Sequence, residues 1–214
     1  MNKRQLILIV SGLILLLVSS SCQNIDKEIK DIWETDEKGS VIGTYHYLDD
    51  RGIKLFLPDA FEKTSVSEYQ KILDSLLDKE SYRYETNRIN KLQSMDGGFH
   101  LFFDQYSRST CTVNSVNFMP MTKNEAQEFL GIMRRSIEQS FDHKNYTIEK
   151  VSAKYNGDSD EHVFKGVFMV SNEKLDSEYY SSTYIITSNE KTVIMQITSP
   201  FKGNFDPFVT KINM

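Results

Sequence analysis

Apolar and polar positions alternate with a period of two in several short stretches, and three longer stretches between them switch to helical spacing. "GTYHYLDDRGIKLFLPDAF" reads as two strands joined at Asp50-Arg51-Gly52, with Pro58 closing the second. In "TSVSEYQKILDSLLDK" the residues Tyr69, Ile72, Leu73, Leu76 and Leu77 recur on one helical face, and Ser65 with Glu68 supplies a capping box. "ESYRYETNRINKLQSM" predicts a second helix through Tyr82, Ile89 and Leu92, with a weaker stripe, stopped at Asp96-Gly97-Gly98. A hairpin follows, "FHLFFDQ" and "CTVNSVNFMP" flanking a polar turn and Pro120 ending it. The clearest helix is "TKNEAQEFLGIMRRSIEQSF", capped by Thr122 and Glu125, with Ala126, Phe129, Leu130, Met133, Ile137 and Phe141 in one stripe. Four strands then run on as "YTIEKVSAKY", "HVFKGVFMVS", "YYSSTYIITS" and "KTVIMQITS", before a short helical "FDPFVTKIN".

The last three of these strands are linked by short turns that each contain Ser-Asn-Glu-Lys, at Ser171–Lys174 and Ser188–Lys191. Strands joined so tightly must be antiparallel. The expected fold is α+β: a single, mainly antiparallel sheet of about six strands with helices on both faces. "GIKLFLPDAF" (Gly52–Phe61) is similar to the opening glycine–strand–proline–aromatic pattern of the PsbP-like α/β/α sandwich superfamily, with Phe61 where that group has tryptophan. "YIITSNEKTVIMQITSP" (Tyr184–Pro200) resembles its closing hairpin. The group includes photosystem PsbP subunits, a Ran-binding nuclear import factor and DcrB-type lipoproteins. The resemblance implies a PsbP-like sandwich and a noncatalytic role in binding or assembly.

The amino-terminal pattern is of another kind. Lys3 and Arg4 precede an apolar run from Leu6 to Val18. Thirteen helical residues reach about 20 Å, short of the roughly 30 Å hydrocarbon core, so the run suits a secretory signal core better than a span. Ser19, Ser20 and Ser21 before Cys22 resemble the lipobox of bacterial lipoproteins, with Ser19 where leucine is usual. That resemblance implies a signal peptide over residues 1–21, acyl chains (palmitate among them) on Cys22, a tether over residues 22–38 and a domain over residues 39–214. It implies residence in the cell envelope, on the outer membrane of a bacterium with two membranes, since Gln23 in place of aspartate resembles outer-membrane sorting. The membrane would then be held through the acyl chains on Cys22.

Loss of residues 1–21 removes two cations and moves the net charge from −5 to −7, with 23 Lys and Arg left of 25 against 30 Asp and Glu. An acidic chain without a basic cluster argues against nucleic acid as a partner. With Cys22 acylated, Cys111 stands alone, which excludes an internal disulfide and suits a small buried hydrophobe. No two of His46, His100, His143 and His162 stand at metal-ligand spacing. The loop "NGDSDEH" has oxygen ligands at alternate positions but lacks the rest of a calcium loop, and reads as an acidic turn. No Gly-x-Ser-x-Gly elbow occurs, and both Ser-x-x-Lys matches fall in turns between strands. No cofactor, metal or catalytic residue is therefore expected.

Tyr45, Tyr47, Tyr179, Tyr180 and Tyr184 concentrate on strands and are the candidate recognition face. Strand propensity accounts for the same five residues as ordinary sheet surface, and is the weightier account. The expected function is noncatalytic binding or assembly in the envelope, with another envelope protein as partner. The alternatives are a hydrolase whose site assembles only in three dimensions, and a carrier enclosing a small apolar ligand.

Overall fold

Antiparallel pairing joins seven strands into one sheet, in which the last strand unites an early group of three with a late group of four. A computed structural model describes residues 41–48, 51–77, 79–139, 145–157, 161–172 and 177–214. The chain divides into Met1–Ile42 and a compact unit, Gly43–Met214. The expected signal peptide, the anchor at Cys22 and the tether lie outside the described residues, as do Asp50, His143 and the Asp158–Asp160 part of the acidic turn.

The strands are β1 (Thr44–Leu48), β2 (Ile53–Leu57), β3 (Glu62–Thr64), β4 (Gly98–Asp104) and β5 (Ser109–Val116), then β6 (Tyr146–Gly157), β7 (Glu161–Asn172), β8 (Ser177–Ser188) and β9 (Lys191–Ser199). The helices are α1 (Val66–Leu76), α2 (Lys79–Gln93), α3 (Lys123–Glu138) and the one-turn α4 (Asp206–Val209). The main sheet runs β3-β4-β5-β9-β8-β7-β6, and β1 pairs only with β2. The fold is α+β, but the expected single sheet of about six strands is corrected to a seven-stranded sheet and a separate two-stranded ribbon. The three-residue β3 is too short to show a period, and the last strand leaves its meander to pair with β5 as well as β8.

Register decides what each face carries, because residues opposite one another point the same way. Leu101 and Phe103 of β4 lie opposite Thr112 and Thr110 of β5, which lie opposite Gln196 and Thr198 of β9. Those continue to Thr183 and Ser181 of β8, and on to Gly166 and Phe168 of β7. All three long helices cover this face. α1 and α2 pack through Tyr69, Leu73 and Ile89 on Leu101 and Phe103. α3 packs through Ala126 on Phe164 and Ile185, and through Ile137 on Phe168 and Val170. Each fully buried side chain of this size contributes about 1.5–3 kcal/mol.

Both expected capping boxes are present: Ser65 Oγ accepts from the Glu68 amide and Thr122 Oγ1 from the Glu125 amide, each glutamate bonding back to the cap. At Gly97, φ is +105° and an added Cβ would strike the Ser115 carbonyl, so only glycine ends α2 in this way. Gly166 lies under α3, where a Cβ would meet Met133 and Leu130 at 3.0–3.3 Å.

The other face is covered by the β1–β2 ribbon and α4. Phe56 stacks on Phe208 at 5.9 Å, His46 meets Phe102 edge-on at 4.8 Å, and Lys54 exchanges backbone hydrogen bonds with Asn213. Asp206 accepts from Lys165 Nζ at 2.6 Å and Tyr184 Oη at 2.7 Å, fastening α4 to the sheet. Helices thus occupy both faces, as expected, but very unequally. No described helix is long and apolar enough to cross a membrane.

Candidate functional site

α2 sits over the β4–β5 side of the sheet and α3 over β6 and β7, and the part of β9 and β8 that carries Thr198, Gln196 and Ser181 lies between them. The gap is a cleft of about 850 Å³. Its floor is polar, formed by Thr110, Ser181, Gln196 and Thr198, and its walls include Leu73, Phe103 and Ile137. Beyond the floor, the segment after β5 is tied across β8 and β9: the Met119 amide donates to Thr192 Oγ1 and Thr187 Oγ1 donates to the Met119 carbonyl. The lining also includes Leu76 and Leu77, both exposed although apolar.

An ion pair lies between α2 and this floor. Arg88 donates from Nε to Glu85 Oε2 at 2.7 Å and from Nη2 to Glu85 Oε1 at 2.6 Å, a two-pronged contact within one turn of α2. The side chains are only 13% and 12% exposed. Arg88 Nη1 donates to Gln196 Oε1 at 2.7 Å, tying the helix to β9, while Tyr69 Oη of α1 donates to Glu85 Oε1 at 2.8 Å. Burial alone would raise the Glu85 pKa; the charge and hydrogen bonds of Arg88, with the Tyr69 phenol, outweigh it and hold the carboxyl below its ordinary value. Burial would lower the Arg88 pKa and the adjoining Glu85 carboxylate reverses that, so both groups are charged. Asn114 Nδ2 caps the Leu92 carbonyl at 2.8 Å, which fixes the end of α2 on β5.

Two phenols meet across the cleft. Tyr179 of β8 and Tyr84 of α2 are hydrogen-bonded, and burial followed by the Tyr84 contact raises the Tyr179 pKa. Charge in the lining is one-sided. Arg83, Arg88, Lys91 and Arg108 face Glu85 alone, a surplus of three positive charges among the described lining residues of a chain whose net charge is −5.

The five tyrosines named from the sequence do not converge on one surface. Tyr45 and Tyr47 stand together on the ribbon, 47% and 62% exposed, Tyr45 against Phe56 and Tyr47 under Lys54 Nζ. Tyr179 lines the cleft, whereas Tyr180, one residue on, points to the opposite face with its hydroxyl on Glu178. Tyr184 is buried against Asp206 beneath α4. Cys111 is fully buried on the ribbon side, and burial raises its thiol pKa. His46, His100 and His162 lie on separate strands, and no group of three or more His, Cys, Asp or Glu side chains able to hold a metal occurs among the described residues.

Arg88, Glu85 and Gln196 went unremarked in the sequence. Their signal was the weak apolar stripe of α2, whose inward face carries an ion pair, and the alternation Thr110, Thr112, Asn114 along β5, which looks like solvent-facing polarity.

No protein-family profile matches the chain, and no curated protein matches it. Among solved structures it is similar to the solution structure of cyanobacterial PsbP (CyanoP) from Synechocystis sp. PCC 6803, at 9% identity. The match covers 85% of this chain and 97% of that one, with a TM-score of 0.49.

Proposed function

We propose that this chain is a noncatalytic binding protein, and that the cleft between α2 and α3 is its ligand site. The observation that carries the reading is the polar floor between the two helices: a cleft of about 850 Å³ lies in the range of small-molecule sites. Glu85 is the only carboxylate in the described lining, and two strong donors hold it ionised and engaged, so it is a poor proton acceptor for a neighbouring serine. The lining hydroxyls therefore serve as hydrogen-bonding partners for a guest. This favours the carrier among the functions expected from sequence, and sets the hydrolase behind it.

Anchorage by acyl chains on Cys22, placement in the envelope and the PsbP-like assignment belong to the same proposal and rest on the sequence patterns given above. Intact mass of the mature chain tests the anchor; a chain beginning at residue 22 with acyl mass supports it, and a chain beginning elsewhere or lacking that mass removes it. A second reading, docking of an envelope protein on the ribbon, is favoured by the adjacent exposed rings of Tyr45 and Tyr47.

The cleft reading is tested with an uncharged fluorescent probe, N-phenyl-1-naphthylamine. One saturable site is expected, lost in Ser181→Trp, whose indole fills the floor, while the circular dichroism spectrum is unchanged. Absence of saturable binding, or equal binding by a folded Ser181→Trp, would overturn it.

A further inference from the structure

The charge of the cleft says more than its volume. Arg83, Lys91 and Arg108 are exposed, line the same cleft as the buried Arg88, and have no carboxylate partner among the described residues. Two cations outside the cleft do have such partners: Arg134 meets Glu138 at 2.8 Å and the partly buried Lys165 meets Asp206 at 2.6 Å. In a chain with 30 acidic residues against 25 basic ones, three cations about one cleft without a carboxylate partner among the described residues are a local reversal of sign in the described lining. Such a cleft focuses an attractive potential on an anion. Its acid is already committed to Arg88, so it opposes the guest little.

The cations come from two elements. Arg83 and Lys91 lie on α2, eight residues and just over two turns apart. Arg108 ends the β4–β5 turn with φ +56°, two residues before Thr110, whose hydroxyl is on the cleft floor. Apolar surface continues from the walls to the exposed Leu76 and Leu77. Positive groups at the lips, hydrocarbon along the walls and hydroxyls beneath match one kind of guest.

We propose that the ligand is a small amphiphile with an anionic head, carboxylate or phosphate, held by Arg83, Lys91 and Arg108, with its apolar body laid against Leu73, Phe103 and Ile137. This rests on the cleft being the ligand site, as proposed above. Arg88 remains paired with Glu85 and positions the floor; the unpaired cations do the selecting.

The experiment measures displacement of N-phenyl-1-naphthylamine from the full-length chain by decanoate, decyl phosphate, decanol and decyltrimethylammonium, in low and high salt. Both anions should displace the probe at about a tenth of the decanol concentration, the order of effect expected from two or three solvent-screened charges. The advantage should shrink in high salt. In the double variant Arg83→Glu, Arg108→Glu the advantage should vanish while binding of the neutral probe is retained, which also shows that the variant is folded. A stronger effect of decyl phosphate assigns the head to phosphate, and a stronger effect of decanoate to carboxylate; either supports the proposal. Equal displacement by decanol and the anions, or an anion advantage that survives the double variant, overturns this ligand class and leaves the cleft standing. Failure of the neutral probe to bind at all overturns the cleft reading itself.

Discussion

Arg88→Met separates the contribution of the buried ion pair from that of the cleft around it. The substitution keeps most of the side-chain volume and removes two donors from Glu85, at 2.7 and 2.6 Å, and one from Gln196, at 2.7 Å. Glu85 is then left with the Tyr69 hydroxyl, in a site where its side chain is 12% exposed. Removing one partner of a buried pair costs about 3–5 kcal/mol, and the orphaned Gln196 acceptor adds about 1 kcal/mol.

The loss has a pH signature. In the wild type the Glu85 pKa is lowered, so its contribution is present above the unfolded value of about 4.3 and lost as pH falls through the folded value. In Arg88→Met burial is opposed by the Tyr69 hydrogen bond alone and the folded pKa rises above the unfolded value of about 4.3, so the penalty grows with pH, by up to about 1.4 kcal/mol per unit. Urea unfolding followed by circular dichroism should show the full loss at about pH 7 and a smaller loss at about pH 5. Glu85→Gln combined with Arg88→Met removes the stranded charge and should recover more than half the loss. A cost below about 1 kcal/mol at neutral pH, or one independent of pH, would refute the reasoning, because it would place the pair in solvent-like surroundings.

His46 gives a second pH test: its Nε2 is buried without a hydrogen-bond partner, and burial first, then Lys63, lowers its pKa, with Asp59 opposing. The unfolded chain therefore binds the proton more readily; stability is full above about pH 6.5 and falls as pH drops through the folded value, and His46→Phe should flatten that part of the urea-midpoint profile. Gly166→Ala should cost under about 1 kcal/mol, because the Met133 terminus 3.0 Å from the new Cβ can turn aside. Gly166→Val should cost about 1–3 kcal/mol by lifting α3, lowering Tm by roughly 2–4 °C for each kcal/mol.

Local signals carried the elements well. The two capping boxes set the starts of α1 and α3, and the turn residues between β7, β8 and β9 made the antiparallel meander legible. Pairing between distant segments left no such mark: nothing in "CTVNSV" says that Cys111 lies opposite Ile197. The site was hidden for a physical reason. Along β5, Thr110, Thr112 and Asn114 alternate with Cys111 and Val113, the pattern of a strand with one wet face, yet the polar side lies under helices. Period alone cannot distinguish water from a cleft floor, since both reward hydroxyls. Similarly Arg88 and Glu85, one turn apart on a polar helix, look like a solvated surface pair until Gln196 and Tyr69 are placed around them.

The β5–β9 seam has a consequence for synthesis on the ribosome. Thr110 meets Thr198, so the join that unites the two halves of the sheet waits for the final strand to emerge. Until then β4 and β5 form a hairpin with one open edge, and Cys111 and Val113, which the finished fold buries completely, stand beside unpaired backbone. Translation at about 5–20 residues per second leaves that edge waiting for several seconds, long compared with the microseconds in which a hairpin forms. The nascent chain therefore passes through a period in which its central strand presents an open edge that another chain can pair with.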